Sequence, residues 1–290
     1  MLRIIYFLLC ISLACFSACK PEVDIIPVPD NTAPPDRSVP EVVKANYVNK
    51  CYITLLGRKA TEAEFSAGMS LLSRDNALLS DRQAFLDGLL SKPDYSQRQY
   101  DIARIEILNN LDTAEITFQI AIYAQLAQLP EYQPFLDIIY AEIAKMQALK
   151  NIPADLEAGT LNRIDMHRRF VNNFFYDEIN MGTQNFILGT FEYFLKRYPT
   201  DTELARATTM IDGFEAILFG AEGKDKDDFL QIFFMSDDYL EGQILNVYED
   251  FLFRPPTSYE MGIKTQAYRS HLSYKNVLRD ILSTDEFLGI

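Results

Sequence analysis

The sequence predicts an all-α protein: a multi-helix bundle of about ten helices or more, built around a repeat and preceded by a signal peptide and a Pro-rich tether. Three observations carry that expectation. Apolar residues recur at i, i+3, i+4 and i+7 along most of the chain, and no run shows the convincing period-two alternation of a strand. A short motif that opens helices appears three times. Glycine is scarce, 12 in 290 residues, and the prolines beyond the N-terminal stretch fall where helices would stop. With 48% apolar and 23% charged residues, the composition is globular. A formal charge of −14 argues against a phosphate-tracking surface, so nucleic acid is not an expected partner.

Residues 1–18 form the first element. Arg3 supplies a basic start, Ile4 to Leu13 an apolar run too short to span a bilayer, and small residues follow. The run ends Phe16-Ser17-Ala18-Cys19. This resembles the lipobox of bacterial lipoproteins, in which the Cys becomes the acylated first residue, although Phe16 stands where that pattern prefers Leu. Ser12-Leu13-Ala14-Cys15 is a poorer match, because the bulky Leu13 sits where a small residue is wanted; an ordinary secretory signal is the other alternative. The resemblance implies lipidation at Cys19 and a place in the cell envelope. Lys20 after the Cys is similar to sorting signals that favour the outer membrane, and which face of it is not readable. Removing residues 1–18 takes the net charge to −15 and removes Cys10 and Cys15, so with Cys19 acylated Cys51 alone remains free and no internal disulfide is expected. Cys51 lies on an apolar helical stripe, where a thiol behaves as a small hydrophobe.

Residues 19–40 come next as a tether. Pro21, Pro27, Pro29, Pro34, Pro35 and Pro40 sit among Asp and Asn with little apolar pattern, a composition that favours extended, semi-rigid conformers.

The body divides into repeat 1 (41–100), a helical insert (101–182), repeat 2 (183–240) and repeat 3 (241–290). Tyr52 to Glu64, Phe191 to Glu203 and Tyr248 to Glu260 share an aromatic, Leu, Arg, Thr and Glu at common spacing. Ahead of each copy runs a helical face, such as Val48/Cys51/Tyr52/Leu55. Behind each comes a second apolar helix and then an acidic–aromatic pair: Asp94-Tyr95, Asp238-Tyr239 and Glu286-Phe287. Thr-x-x-Glu is a capping box, so Thr61/Glu64, Thr200/Glu203 and Thr257/Glu260 should each open a helix. Pro199, Pro255 and Pro256 stop the preceding one. Arg58, Arg197 and Arg254 fall near a helix C-terminus, where a cation satisfies the last carbonyls; the sharper alternative is convergence on an anion. In the insert, helices are expected at Ile102–Leu111, Ala114–Leu129, Pro134–Leu149 and roughly Leu161–Glu178.

LLGRKATEAE followed by FLDGLLSKPDYSQRQYD resembles the motif of the cytochrome-associated domains of unknown function in planctomycete secreted proteins, and more distantly the helical repeats of phycobilisome linkers. The likeness covers roughly 44–100, with fragments at 184–240 and 243–290, where Lys196 and Phe253 replace the Gly. That family has no established reaction, so the resemblance implies no catalytic residue, and the haem motif C-x-x-C-H that accompanies some members is absent.

No nucleophile elbow, metal-binding His pair, phosphate loop or dinucleotide fingerprint occurs, so no catalytic set, metal or cofactor is nominated. His167, in Asp165-Met166-His167-Arg168-Arg169, is expected on a solvated turn. Lys224 to Asp228 lacks calcium-loop spacing, and Asp227 or Asp228 should cap the helix at Phe229. Two functions follow. One is a membrane-anchored envelope lipoprotein, a non-catalytic helical scaffold contacting another envelope protein. The alternative is a glycan- or polymer-binding or degrading accessory with a site in the 97–182 helices.

Overall fold

The computed structural model describes residues 38–290, so Cys19, the signal segment and nearly all of the tether lie outside the described residues. Among the described residues there are sixteen α-helices and one two-stranded hairpin, an all-α architecture. Repeat 1 supplies α1 (Glu41–Leu56), α2 (Glu62–Ser73), α3 (Leu79–Leu90) and α4 (Pro93–Ile107). The insert supplies α5 (Thr113–Leu126), a 3-10 turn (Pro130–Phe135), α6 (Leu136–Lys150), α7 (Ile152–Glu157), α8 (Arg163–Val171) and α9 (Phe174–Ile179). Repeat 2 holds α10 (Thr183–Leu195), α11 (Asp201–Ile211), the strands β1 (Ala216–Leu218) and β2 (Ala221–Gly223), and α12 (Lys226–Phe234). Then come α13 (Asp237–Val247), running into a π turn (Tyr248–Leu252), α14 (Ser258–His271), α15 (Tyr274–Leu282) and α16 (Asp285–Leu288).

The expected boundaries move for local reasons. The helix expected from Ile102 is the second half of α4, which starts at Pro93 because a proline at the first position needs no amide partner. The stretch 161–178 breaks in two where Asn173 caps α9, its Oδ1 accepting from the amides of Phe175 and Tyr176. Asp225, not Asp227 or Asp228, caps α12, accepting from the Asp228 amide; Asp228 instead accepts from the Lys224 amide at 2.9 Å. The antiparallel hairpin pairs Ala216 with Gly223 and Leu218 with Ala221, three residues a side, too short to have left an alternating pattern in the sequence.

The segments share one core. The 100/101 division falls inside α4 and the 240/241 division inside α13, which closes repeat 2 and opens repeat 3. The last repeat packs back on the first. Tyr47 donates its hydroxyl to the Leu282 carbonyl at 3.0 Å and meets Phe287 edge-on at 5.7 Å, and Arg82 pairs with Asp285 at 2.8 Å. Between repeat 2 and α13, Phe191, Phe194, Phe233, Phe234 and Tyr239 are fully buried, with Phe194 and Phe234 centroids 4.9 Å apart. Here α10 and α13 cross so closely that a Cβ on Gly242 would lie 2.1 Å from the Phe194 carbonyl oxygen. Only a glycine fits that contact.

Candidate functional site

The repeat motif builds the same device three times. In each copy the first helix ends on a left-handed residue: Gly57 (φ 70°), Lys196 (φ 55°) and Phe253 (φ 57°). That turn throws the next residue, the arginine, back across the gap to the following helix. Thr61, Thr200 and Thr257 cap α2, α11 and α14, each hydroxyl accepting from the Glu amide three residues on, while the Glu accepts from the Thr amide. The same Glu then takes the arginine in a two-pronged pair: Arg58 with Glu64 at 2.7 and 2.9 Å, Arg197 with Glu203 at 2.8 and 2.7 Å, Arg254 with Glu260 at 2.9 and 2.7 Å. A planar fork against a carboxylate is the strongest geometry for such a contact.

A second carboxylate completes each clasp, and it is the acidic member of the acidic–aromatic pair. Arg58 donates to Asp94 at 2.7 Å, Arg197 to Asp238, and Arg254 to Glu286 at 2.6 Å. The motif's leading aromatic backs the guanidinium: Tyr52 at 5.6 Å, Phe191 at 5.4 Å and Tyr248 at 5.1 Å from ring centroid to Arg Cζ. The motif arginines thus join two helix N-termini apiece. They satisfy the carbonyl of the residue immediately following, as Arg58 does with Lys59 at 3.1 Å, rather than the last carbonyls of the helix they follow. With its own pair of carboxylates, none is left to bind an anion. The Arg197 guanidinium and the Thr200 amide hold Glu203 down at about 2, and Arg254 with Thr257 does the same for Glu260.

His167 is not on a solvated turn. It is 1% exposed in α8, with Nδ1 2.9 Å from the Tyr239 hydroxyl and its ring 4.9 Å from Phe194. Its charged sequence neighbours face outward while α10 and α13 cover the histidine. Burial, with Arg163 nearby, holds it well below its usual range, so the ring is neutral. Its Nε2 has no partner among the described residues. Cys51 is buried, and burial pushes its thiol up, which makes it inert.

A cluster of exposed apolar side chains lies in the insert. In α5 only Ile116 is buried, and from Ile116 to Pro130 the chain carries no charge. Helix α5 packs on α6, and Lys150 reaches back to Thr117 at 2.9 Å. The outer faces of this helical hairpin expose Thr117, Phe118, Ala121 and Gln125 on α5, and Tyr140, Ala141, Ala144 and Gln147 on α6. Phe118 and Ile138 are 60% and 63% exposed. Exposed Glu115, Asp137 and Lys150 border this face, and its other residues are uncharged and include the exposed rings of Phe118 and Tyr140. It was readable in the sequence as a run of small and apolar residues without charge. No described helix is long and apolar enough to cross a membrane, and no group of three or more His, Cys, Asp or Glu among the described residues could hold a metal. No family model, curated protein or solved structure matches this chain.

Proposed function

We propose that this chain is an envelope lipoprotein, anchored through Cys19 at the outer membrane, whose folded body is a non-catalytic helical scaffold. The observation that carries the proposal is the sparsely charged α5–α6 hairpin face with exposed Phe118, Ile138 and Tyr140, held on a body that the three arginine clasps and a shared aromatic core make rigid. Small residues at helical spacing beside Phe118 and Tyr140 let another helix approach closely, so the partner that fits is a helical envelope protein with an apolar face. The lipobox-like sequence and the Pro-rich tether supply the anchoring half of the proposal, and two or more acyl chains hold a protein stably at a bilayer. The likeness of LLGRKATEAE to the planctomycete domains belongs to the same reading.

The accessory alternative needs a pocket with paired carboxylates for degradation. A cavity of about 240 Å³ bordering the 97–182 helices does carry Glu106, Glu249 and Asp250 beside Tyr193 and Tyr274, which keeps this alternative as the second reading, whereas the neighbouring apolar cavity carries Tyr95 and Tyr274 without a carboxylate. Photo-crosslinking residues placed at Phe118 and Ile138 in cells should give one discrete protein adduct, absent from a control placed at Glu222. Adducts to lipid alone, or equal adducts at Glu222, would overturn the contact face. Lipid labelling lost in Cys19→Ala but kept in Cys15→Ala tests the anchor separately.

A further inference from the structure

One half-buried cation makes no direct ion pair among the described residues. Arg163, at the first position of α8, donates Nε to Gln243 Oε1 at 3.0 Å and Nη1 to Gln99 Oε1, and its guanidinium lies 3.9 Å over the Tyr274 ring. No Asp or Glu oxygen of the described residues comes within 4 Å, and Nη2 makes no hydrogen bond to a described residue. The tyrosines around it cannot stand in, because burial raises Tyr95, Tyr239 and Tyr274 and keeps their hydroxyls protonated. An arginine stays charged at every relevant pH, and Asp250, which feels that charge from across a cavity, makes no direct pair with it.

Two cavities flank it and share Gln99, Arg163 and Tyr274. One, of about 240 Å³, carries Glu106, Glu249 and Asp250 and is acidic. The other, of about 250 Å³, has no carboxylate in its lining, although the chain holds 41. Its charged groups are Arg163 and Lys275, both cationic, and its walls are otherwise mainly apolar, formed by Leu156, Leu161, Met166 and Leu272. Three helices bring their first turns to it: α4 with Tyr95 and Ser96, α8 with Arg163, and α15 with Tyr274 and Lys275. In α8 and α15 the first two amides have no intrahelical acceptor, whereas α4 begins with Pro93 and its Tyr95 amide donates to the Lys92 carbonyl at 3.1 Å, so α4 contributes side chains rather than free amides. A guanidinium with nitrogen donors to spare, an ammonium and the N-termini of α8 and α15 around one mainly apolar cavity match an anion with a hydrocarbon body.

We infer that this cavity is a binding site for a small, partly apolar organic carboxylate, its carboxylate on Arg163 and its hydrocarbon part against Leu161, Met166 and Leu272. The inference is independent of the anchoring and scaffold proposal and predicts a ligand for a protein read as non-catalytic.

Calorimetric titration of the full chain in detergent with phenylacetate and hexanoate tests it, with phenylacetamide, hexanamide and sulfate as comparators. At least one carboxylate should bind saturably, with its amide at least about tenfold weaker, since the amide keeps the body and loses the charge-assisted contact. Arg163→Gln should weaken that carboxylate by about tenfold or more. Lys275→Gln, at the rim, should weaken it by roughly two- to fivefold and decides the matter if Arg163→Gln fails to fold. Absence of binding at about 10 mM, equal binding of acid and amide, unchanged affinity in Lys275→Gln together with a folded Arg163→Gln, or tighter binding of sulfate than of either acid would each overturn the inference.

Discussion

The three repeats and the α5–α6 hairpin are both apolar-rich helical structure, yet they treat that surface in opposite ways. In the repeats each of the three motif joints is locked twice, by an aromatic ring behind the arginine and by an Arg–Glu–acid clasp, and the last repeat returns to seal the first. The hairpin has one buried residue on α5 and leaves Phe118 and Ile138 open. A scaffold needs the first property and a contact needs the second, since a surface already satisfied by its own chain has nothing left to offer a partner. The difference also says where mutations should hurt.

The largest loss should come at the tightest helix crossing of the repeats. Gly242→Ala sets a Cβ against the Phe194 carbonyl, a backbone atom that cannot swing aside, and should cost about 3 kcal/mol or more in urea unfolding. A cost under about 1 kcal/mol would mean that α10 and α13 can slide apart and that the repeats are not rigid. His167→Ala, nearby, empties a buried site and strands the Tyr239 hydroxyl, for about 2–4 kcal/mol. The histidine also sets a pH dependence. Its folded value lies well below the unfolded 6.5, so the unfolded chain binds the extra proton and stability falls as pH drops below about 6.5. His167→Gln should flatten that fall relative to the parent.

Next in size is the clasp. Arg197→Ala leaves Glu203 and Asp238 facing each other without their cation, and should cost roughly 1.5–3 kcal/mol. The clasp has its own pH signature. Glu203 and Glu260 sit at about 2 in the fold against about 4.3 unfolded, so their contribution is full above about 4.3 and is lost as pH falls toward 2. In Arg197→Ala the share belonging to Glu203 should largely vanish. An unchanged acid limb in thermal unfolding would show that the clasp is decoration on a fold held by its core alone.

How much of this was readable depends on how far apart the partners are. The capping boxes join residues three apart, and the motif alone places them. The clasp acids lie 36, 41 and 32 residues from their arginines, and nothing local distinguishes Asp94, Asp238 and Glu286 among 41 carboxylates. A signal existed: the acidic–aromatic pair recurs in step with the arginine, and a shared period across two blocks is what a contact between them produces. His167 was misplaced because Asp165, Arg168 and Arg169 made its neighbourhood look solvated, whereas burial there is decided by α10 and α13 from later in the chain. Arg163 gave no signal at all, because the absence of a counter-ion is a property of the fold.

A smaller effect, of opposite sign, is expected at the left-handed joint. Phe253 holds φ 57° while 81% exposed, so it bears the cost of that conformation and gains little from burial. The first copy solves the same turn with Gly57. Phe253→Gly should therefore stabilise the chain by about 0.5–1 kcal/mol, less what glycine loses in unfolded-state entropy. A destabilised variant would assign Phe253 a packing role that its exposure does not show.

The smallest effect on stability is expected at the hairpin. Phe118→Ser and Ile138→Ser each remove a side chain that is more than half exposed and should leave the unfolding midpoint within about 0.5 kcal/mol of the parent. The same pair in the repeats, for instance at fully buried Phe194, would remove core and cost several kcal/mol. The contrast separates the two regions by what they are for. A hairpin that merely completed the fold would register the loss in stability and leave cross-linking to a partner unchanged. A hairpin kept open for a partner should do the reverse, with near-neutral unfolding and the adduct at position 138 lost in Phe118→Ser. Loss of both together would mean that the exposed face is held in place by its own side chains, and the division between a sealed scaffold and an open contact would have to be redrawn.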